Sequence, residues 1–114
     1  MNAPEQTVTG PLDGLRVVEM GQLIAGPFCG QLLGDMGAEI AKIETPGAGD
    51  TMRQWGQGPQ PVSWRVIARN KYSVALDLRG KEGQELARRL VGAADILIEN
   101  FRPGTLEEWG LDPK

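Results

Sequence analysis

The chain has 114 residues, of which 40% are hydrophobic, and a formal net charge of -3 at pH 7. This length and composition predict one small globular domain or a part of a larger one. Acidic and basic residues are interspersed, which predicts no nucleic-acid partner. The chain has no histidine, which excludes histidine-dependent catalysis within it. Because histidine is also the commonest metal ligand, we expect no metal site.

The first segment, residues 1–11, is polar and opens with MNAPEQTVTG, which lacks the apolar core of a secretory signal. We expect it to be a flexible leader. The apolar runs elsewhere are too short to cross a bilayer, so no membrane partner is expected. The single cysteine, Cys29, excludes an internal disulfide and suits a reducing compartment, which predicts a cytoplasmic location.

The first predicted strand, roughly Leu15–Met20, leads into a glycine-rich loop and a helix. Pro27 suits the first helical position, and Gly37 suits a left-handed helix end. Between them, four residues recur at the i, i+3, i+4 and i+7 spacing of one helix face, which predicts that this face packs against the core. They are Cys29, Leu32, Leu33 and Met36.

The second predicted strand, Glu39–Glu44, alternates polar and apolar residues. Residues 46–62 are dense in glycine and proline and predict a long loop, which in a compact domain is usually functional or disordered. Asp50 in this loop is a candidate general base. After the loop, Ser63 is a candidate cap for a short helix that extends to Arg69.

The second half of the chain repeats the alternation of strand and helix. The predicted elements are, in order, a strand at Ser73–Leu78, a helix at Lys81–Gly92, a strand at Asp95–Ile98 and a short helix at Pro103–Trp109. Small and apolar residues mark the packed face of the longer helix: Gly83, Leu86, Ala87, Leu90, Val91 and Ala94.

This alternation predicts an α/β fold with right-handed crossovers, in which helices flank a Rossmann-like, mostly parallel sheet. Ligands of such sheets bind beyond the carboxyl ends of the strands. The four loops that follow the strands should therefore share one rim of the sheet. They contain Gly21–Pro27, Thr45–Gly49, Arg79–Gly80 and Glu99–Gly104.

The loop GQLIAGPF, residues 21–28, places Gly21 and Gly26 at the glycine spacing of a phosphate-binding P-loop. Pro27 and Phe28 occupy the places of the required lysine and hydroxyl, so we do not expect hydrolysis of a nucleoside triphosphate. The glycines also fail the Gly-x-Gly-x-x-Gly pattern of dinucleotide sites. From the residues alone, two alternatives stay open: a turn without ligand, or a turn whose free amides at a helix N-terminus bind an anion.

Other rim residues are candidates for ligand contacts. Arg53, Arg79 and Arg102 could together bind phosphate groups, although each alone suits a solvated side chain. Glu44 ends the second strand, where a ribose-binding acid would lie. Among the aromatic residues, Phe101 is the best candidate for a ligand contact, because it lies in a rim loop.

Three blocks of sequence together resemble the opening of the family III CoA-transferases, which include formyl-CoA transferase, the carnitine CoA-transferases and the α-methylacyl-CoA racemases. The blocks are AGPFCGQLLGDMGAEIAKIE, NKYSVALDL and ADILIENFRPG, and the resemblance runs from Pro11 to Leu111. It implies that residues 12–114 are the N-terminal, incomplete part of a CoA-binding α/β domain. It also implies a larger fold whose chains interlock as homodimers.

The resemblance further implies which residues contact coenzyme A. The matching positions all lie in the predicted rim loops: Leu23, Ile24, Ala25, Leu76, Arg79, Asn100 and Phe101. Two positions depart from the family pattern, because Thr45 and Glu108 stand where basic residues are frequent. We therefore expect Arg53 or Arg102 to take over phosphate contacts.

The activity that the resemblance implies is transfer of coenzyme A between carboxylic acids through aspartyl intermediates. No aspartate of this chain matches the nucleophile, so no catalytic residue is expected here and the nucleophile is expected beyond Lys114. Acyl-CoA and carboxylic acids are the implied substrates, with no resident cofactor. Three alternatives stay open: epimerisation of acyl-CoA by a racemase of the same family, a truncated chain without activity, and a plain dinucleotide-binding fold. The extension GDTMRQWG, residues 49–56, favours the transferase branch.

Overall fold

The computed structural model describes residues 10–111, and the first nine residues of the predicted leader, 1–11, lie outside that range. Strands and helices alternate along the chain, as the sequence predicts. In order they are β1 Arg16–Glu19, α1 Ala25–Asp35, β2 Glu39–Glu44, a 3-10 helix Thr51–Gln54, α2 Val62–Ile67, β3 Lys71–Ala75, α3 Lys81–Gly92, β4 Ile96–Ile98 and α4 Thr105–Glu108.

The four strands run parallel in one sheet of order β3-β2-β1-β4. In this register Val18 lies beside Ala41 on one side and Leu97 on the other. The arrangement confirms the predicted α/β fold with a Rossmann-like parallel sheet and flanking helices. Because the strands are parallel, their carboxyl ends meet at one rim.

The predicted bounds hold for β2 and α3 but not for β3. The sequence predicts β3 at Ser73–Leu78, whereas the strand spans Lys71–Ala75. The cause is a turn at Asp77, whose side chain accepts a hydrogen bond from the Arg79 amide at 3.1 Å. The residues from Leu76 onward therefore belong to the rim loop rather than to the strand.

Of the face predicted for α1, only Leu33 packs against the apolar cluster beneath the helix. Cys29 is exposed, and Leu32 and Met36 are 44% and 41% exposed, so the prediction that they face the core is wrong. Glycines four residues apart are buried instead, Gly30 and Gly34 against the strands and Gly26 against Gly21 of the rim loop. The lack of side chains there lets the helix approach β2 closely, since a Cβ at position 34 would lie 3.2 Å from Cγ1 of Ile40.

Both faces of the sheet are covered. On one face, the largest apolar cluster joins the strands to α3 and α4 through Val18, Met20, Ile43, Ala87, Leu106 and Leu111. The opposite face, under α1, contains Val17, Ala38, Ile40 and Ile98. The predicted face of α3 is buried at Gly83 and Ala87, whereas Leu86 is exposed. Within residues 10–111, none of the helices has the length and apolar character to cross a membrane.

The glycine stripe of α1 gives a testable prediction. A Cβ at Gly30 would collide with the buried Glu19 carboxylate, whereas a Cβ at Gly92, the last residue of α3, would meet open space. We expect Gly30→Ala to lower the free energy of unfolding by about 1–3 kcal/mol, because the core is overpacked. We expect Gly92→Ala to be neutral or to stabilise by up to about 1 kcal/mol, because alanine favours the helix. Urea denaturation measures both, and equal effects of the two variants would contradict this packing.

Candidate functional site

A cleft of about 180 Å³ opens at the rim where the carboxyl ends of the strands meet. Loops after all four strands contribute to its lining. Of the predicted coenzyme A contacts, three line it: Leu76, Arg79 and Phe101. Thr45, which departs from the family pattern, lines it as well.

The other predicted contacts, Leu23, Ile24, Ala25 and Asn100, lie beside the cleft rather than in its lining. The Asn100 side chain is bound to the main chain of Gln22: its Oδ1 accepts from the Gln22 amide, and its Nδ2 donates to the Gln22 carbonyl, both at 3.0 Å. Asn100 therefore joins two rim loops. A Cβ at Gly21 would collide with this side chain, which explains the glycine there.

The loop between β1 and α1 presents three consecutive main-chain amides. Its first amides are engaged, that of Gln22 by Asn100 and that of Leu23 by Oδ1 of Asp50 at 3.1 Å. The next three, at residues 24–26, have no hydrogen-bond acceptor among residues 10–111. They open an 11-residue helix, so the positive end of its dipole lies at the same place.

Beneath this loop lies a buried quartet of charges, Glu19, Lys42, Asp50 and Lys71. Nζ of Lys42 is 2.7 Å from Oε2 of Glu19 and 2.8 Å from Oδ2 of Asp50, and Nζ of Lys71 is 2.6 Å from Oε1 of Glu19. Each of the four side chains is at most 2% exposed. Two carboxylates and two ammonium groups balance in charge, which makes their burial tolerable.

Two of these ion pairs are electrostatic contacts without an aligned hydrogen bond. Oε1 of Glu19 and Oδ2 of Asp50 lie close to an ammonium group but outside hydrogen-bonding geometry. Burial lowers the pKa of Lys71, and the adjacent negative charge of Glu19 opposes that shift. The candidate role of Asp50 as a general base is therefore replaced by a structural one, because its oxygens are buried and engaged.

The quartet escaped the sequence analysis because it depends on how the strands pair. The alternation within Glu39–Glu44 predicts a strand, but it does not predict that a helix covers the face of the strand that carries Lys42. The register places Glu19 directly beside Lys42 on the neighbouring strand. The sequence feature that could have indicated the quartet is an acid near the end of one strand, Glu19, and a lysine near the end of the next, Lys42.

Glu44 and Arg53 form a second ion pair at the rim. Arg53 donates to both carboxylate oxygens of Glu44 at 2.7 Å, and its guanidinium stacks 4.1 Å from the ring centre of Trp64. Glu44 also accepts from the Ser73 hydroxyl at 2.6 Å and from the Asp50 amide at 2.8 Å. The Glu44 side chain is 3% exposed and its oxygens are occupied, which leaves none for a ribose, whereas Arg53 is 35% exposed and its phosphate contact stays a prediction.

Arg79 remains the cation best placed for an anionic ligand in the described part of the chain. Its side chain is 83% exposed, its Nε is 3.8 Å from Oδ1 of Asp77, and it lines the cleft. Arg102 is exposed but outside the lining, and Glu108 is exposed on α4. No group of three or more candidate metal ligands occurs among residues 10–111.

Comparison with known proteins gives a family match over nearly the whole chain. Residues 12–114 match the sequence pattern of CoA-transferase family III. A succinyl-CoA--D-citramalate CoA-transferase of Chloroflexus aurantiacus is 59% identical over 104 residues, which cover 89% of this chain and 26% of that protein. The alpha subunit of a succinyl-CoA--L-malate CoA-transferase of the same organism is 50% identical over 105 residues, which cover 89% of this chain and 24% of that subunit.

Solved structures agree with this match. A CAIB/BAIF family protein from Brucella suis superposes with a TM-score of 0.86 at 44% identity, over 91% of this chain and 29% of that one. The chain therefore spans about a quarter of the length of the curated relatives it matches.

The Glu44 carboxylate gives a prediction about pH. Burial opposes its ionisation, but the hydrogen bonds that it accepts, those from Arg53 first, outweigh burial and lower its pKa from 4.5 to about 2. Since the pKa is lower in the folded state, ionised Glu44 stabilises the fold above about pH 4.5, and this contribution is lost as the pH falls towards 2. The shift corresponds to on the order of 3 kcal/mol.

Urea denaturation at pH 5, 4 and 3 measures this contribution. We expect the free energy of unfolding of Glu44→Gln to fall less steeply with acid than that of the wild type. Glu107→Gln, at an exposed position of α4, should keep the acid sensitivity of the wild type. Parallel acid profiles for wild type and Glu44→Gln would show that the Arg53 contact does not stabilise the carboxylate.

Proposed function

The chain belongs to CoA-transferase family III, and on that premise we propose that it supplies part of the coenzyme A site of an enzyme that transfers coenzyme A between carboxylic acids. The observation that carries the proposal is the rim itself. An exposed arginine and two apolar side chains line one cleft at the carboxyl ends of parallel strands, and three unengaged main-chain amides lie in the loop beside it.

The chemistry of these groups matches the parts of coenzyme A. The diphosphate is anionic, and the amides at residues 24–26 and the Arg79 guanidinium are donors suited to it. Leu76 and Phe101 offer apolar contacts for the adenine ring, and Phe101 is held edge-on against Trp109 with ring centres 5.1 Å apart. The cleft of about 180 Å³ is smaller than the common range of ligand pockets, about 300–1,000 Å³, so only a part of the coenzyme would lie here.

The reaction that we propose uses an aspartate outside residues 1–114. Its carboxylate attacks the thioester carbonyl of acyl-CoA, which forms an acyl anhydride and releases CoA thiolate. The thiolate then attacks the aspartyl carbonyl, which releases the first acid and leaves an aspartyl-CoA thioester. The second acid attacks the carbonyl of this thioester, which forms a new anhydride and releases CoA thiolate. The thiolate then attacks the acyl carbonyl of that anhydride, which releases the new acyl-CoA and restores the aspartate.

Candidate substrates come from the relatives. Two of the similar proteins are named for succinyl-CoA as one substrate and for citramalate or malate as the other. We therefore propose succinyl-CoA and small hydroxylated dicarboxylic acids as the first compounds to test. These names favour transfer over epimerisation. We propose an interlocked homodimer for a longer protein from the sequence resemblance, and a cytoplasmic location from the single cysteine.

Calorimetric titration of the 114-residue chain with coenzyme A tests the proposed site. We expect saturable binding of coenzyme A and no binding of NADH, the ligand of a plain dinucleotide fold. Arg79→Ala should weaken coenzyme A binding about tenfold, the loss of one charge-assisted contact. The control is Arg89→Ala, which removes the same charge from an exposed position of α3. Equal effects of the two variants, or tighter binding of NADH, would contradict the proposal.

A further inference from the structure

We infer that the buried quartet, Glu19, Lys42, Asp50 and Lys71, positions the loop between β1 and α1 for ligand binding without contacting the ligand. The inference rests on the proposed function for the identity of the ligand, coenzyme A. The positioning of the loop rests on the contacts of the four side chains.

The quartet holds the main chain on both sides of the free amides at residues 24–26. On the near side, Nζ of Lys42 donates to the Gly21 carbonyl at 3.0 Å, and Oδ1 of Asp50 accepts from the Leu23 amide at 3.1 Å. On the far side, Nζ of Lys71 donates to the Pro27 carbonyl at 2.7 Å. Three of the four charged groups thus bind the peptide backbone directly.

The fourth charge, Glu19, connects the other groups. Its two carboxylate oxygens pair with Lys42 and Lys71, so the near and far anchors of the loop are joined through one side chain. Gly30 is the residue of α1 that makes room for it. The loop is therefore tied to three neighbouring strands at once, with Asp50 adding the long loop after β2.

Stability alone does not explain why these four positions are charged. Well-packed apolar residues of similar volume often stabilise a protein core as well as a buried ion pair does, or better. Apolar residues could not donate to the Gly21 and Pro27 carbonyls or accept from the Leu23 amide, and buried main-chain groups require such partners. The charges therefore match the needs of this loop.

The conformation of the loop also requires stabilising contacts from residues outside the loop. Leu23 has a φ of 66°, in the left-handed region that residues other than glycine rarely adopt. The amide of this residue is the one that Asp50 binds. Asp50 accepts from the Met52 amide as well, at 2.8 Å, so one carboxylate oxygen fixes the β1–α1 loop against the start of the 3-10 helix.

Because the side chains of the quartet are buried, they can position the β1–α1 loop without contacting the ligand. Lys42 and Asp50 form part of the floor of the cleft, yet each side chain is at most 2% exposed. Both charges of the pair are satisfied within the protein. A ligand in the cleft would meet the 83% exposed Arg79 side chain, whereas Lys42 and Asp50 present almost no surface to it.

The test compares two variants with the same charge. Asp50→Asn and Asp50→Ala both remove one negative charge, but asparagine keeps an oxygen that can accept from the Leu23 amide. Two quantities are measured: amide hydrogen exchange at Leu23 by NMR, which needs no ligand, and the dissociation constant for coenzyme A. We expect Asp50→Ala to speed exchange at Leu23 and to weaken coenzyme A binding about tenfold, and Asp50→Asn to stay within about threefold of the wild type.

Two further variants complete the design. If Asp50→Ala does not fold, Asp50→Ser takes its place: serine can still cap the 3-10 helix, but its oxygen falls roughly 1.2 Å short of the carboxylate position and so loses the Leu23 amide. Asp35→Ala is the control, because it breaks the ion pair with Arg69 at the other end of α1 and should leave coenzyme A binding unchanged.

Equal losses of binding in Asp50→Asn and Asp50→Ala would overturn the inference, because charge rather than the hydrogen bond to Leu23 would then matter. Unchanged binding in Asp50→Ala despite fast exchange at Leu23 would overturn it too. A wild-type chain that binds no coenzyme A would contradict the proposed function instead. In that case, slow exchange at Leu23 in Asp50→Asn and fast exchange in Asp50→Ala would still support the positioning of the loop.

Discussion

A carboxylate and an ammonium group that water hardly reaches, those of Glu19 and Lys42, join the two central strands at 2.7 Å, and the shape of the rim depends on them. The pair lies near the carboxyl ends of the strands, where the chain must leave the sheet and turn into α1. Ordinary strand ends leave such a turn to solvent. Here one face of the turn is covered, so its buried main-chain groups require partners, and the quartet provides several of them.

The rest of the architecture accommodates this charged centre. The glycine stripe of α1 brings the helix close enough to cover the quartet, and it leaves Phe28 and Leu32 of that helix on the outer surface. The long loop after β2 is not disordered: Asp50 anchors it to the quartet, and Arg53 anchors it to Glu44. The amides at residues 24–26 are therefore left as donors on a rigid support, which is the arrangement that an anionic ligand requires.

The sequence was sufficient for the fold and for the rim at which the strand ends meet, but not for the interior. Local patterns predicted β2 and α3 and, through the alternation of elements, the parallel sheet and its rim. The resemblance pointed to Leu76, Arg79 and Phe101, which line the cleft. The packed face of α1 could not be predicted, because glycines and apolar residues both recur at helical spacing and only the partner surface decides between them. The quartet depends on strand register, a long-range property that no local pattern contains.

The most direct test is a crystal structure of the chain with coenzyme A bound. We expect phosphate oxygens within hydrogen-bonding distance of the amides of residues 24–26 and of the Arg79 guanidinium, with Lys42 still paired to Glu19 and Asp50. Phosphates bound away from this loop, or a Lys42 side chain that leaves its two carboxylate partners to bind a phosphate, would contradict it.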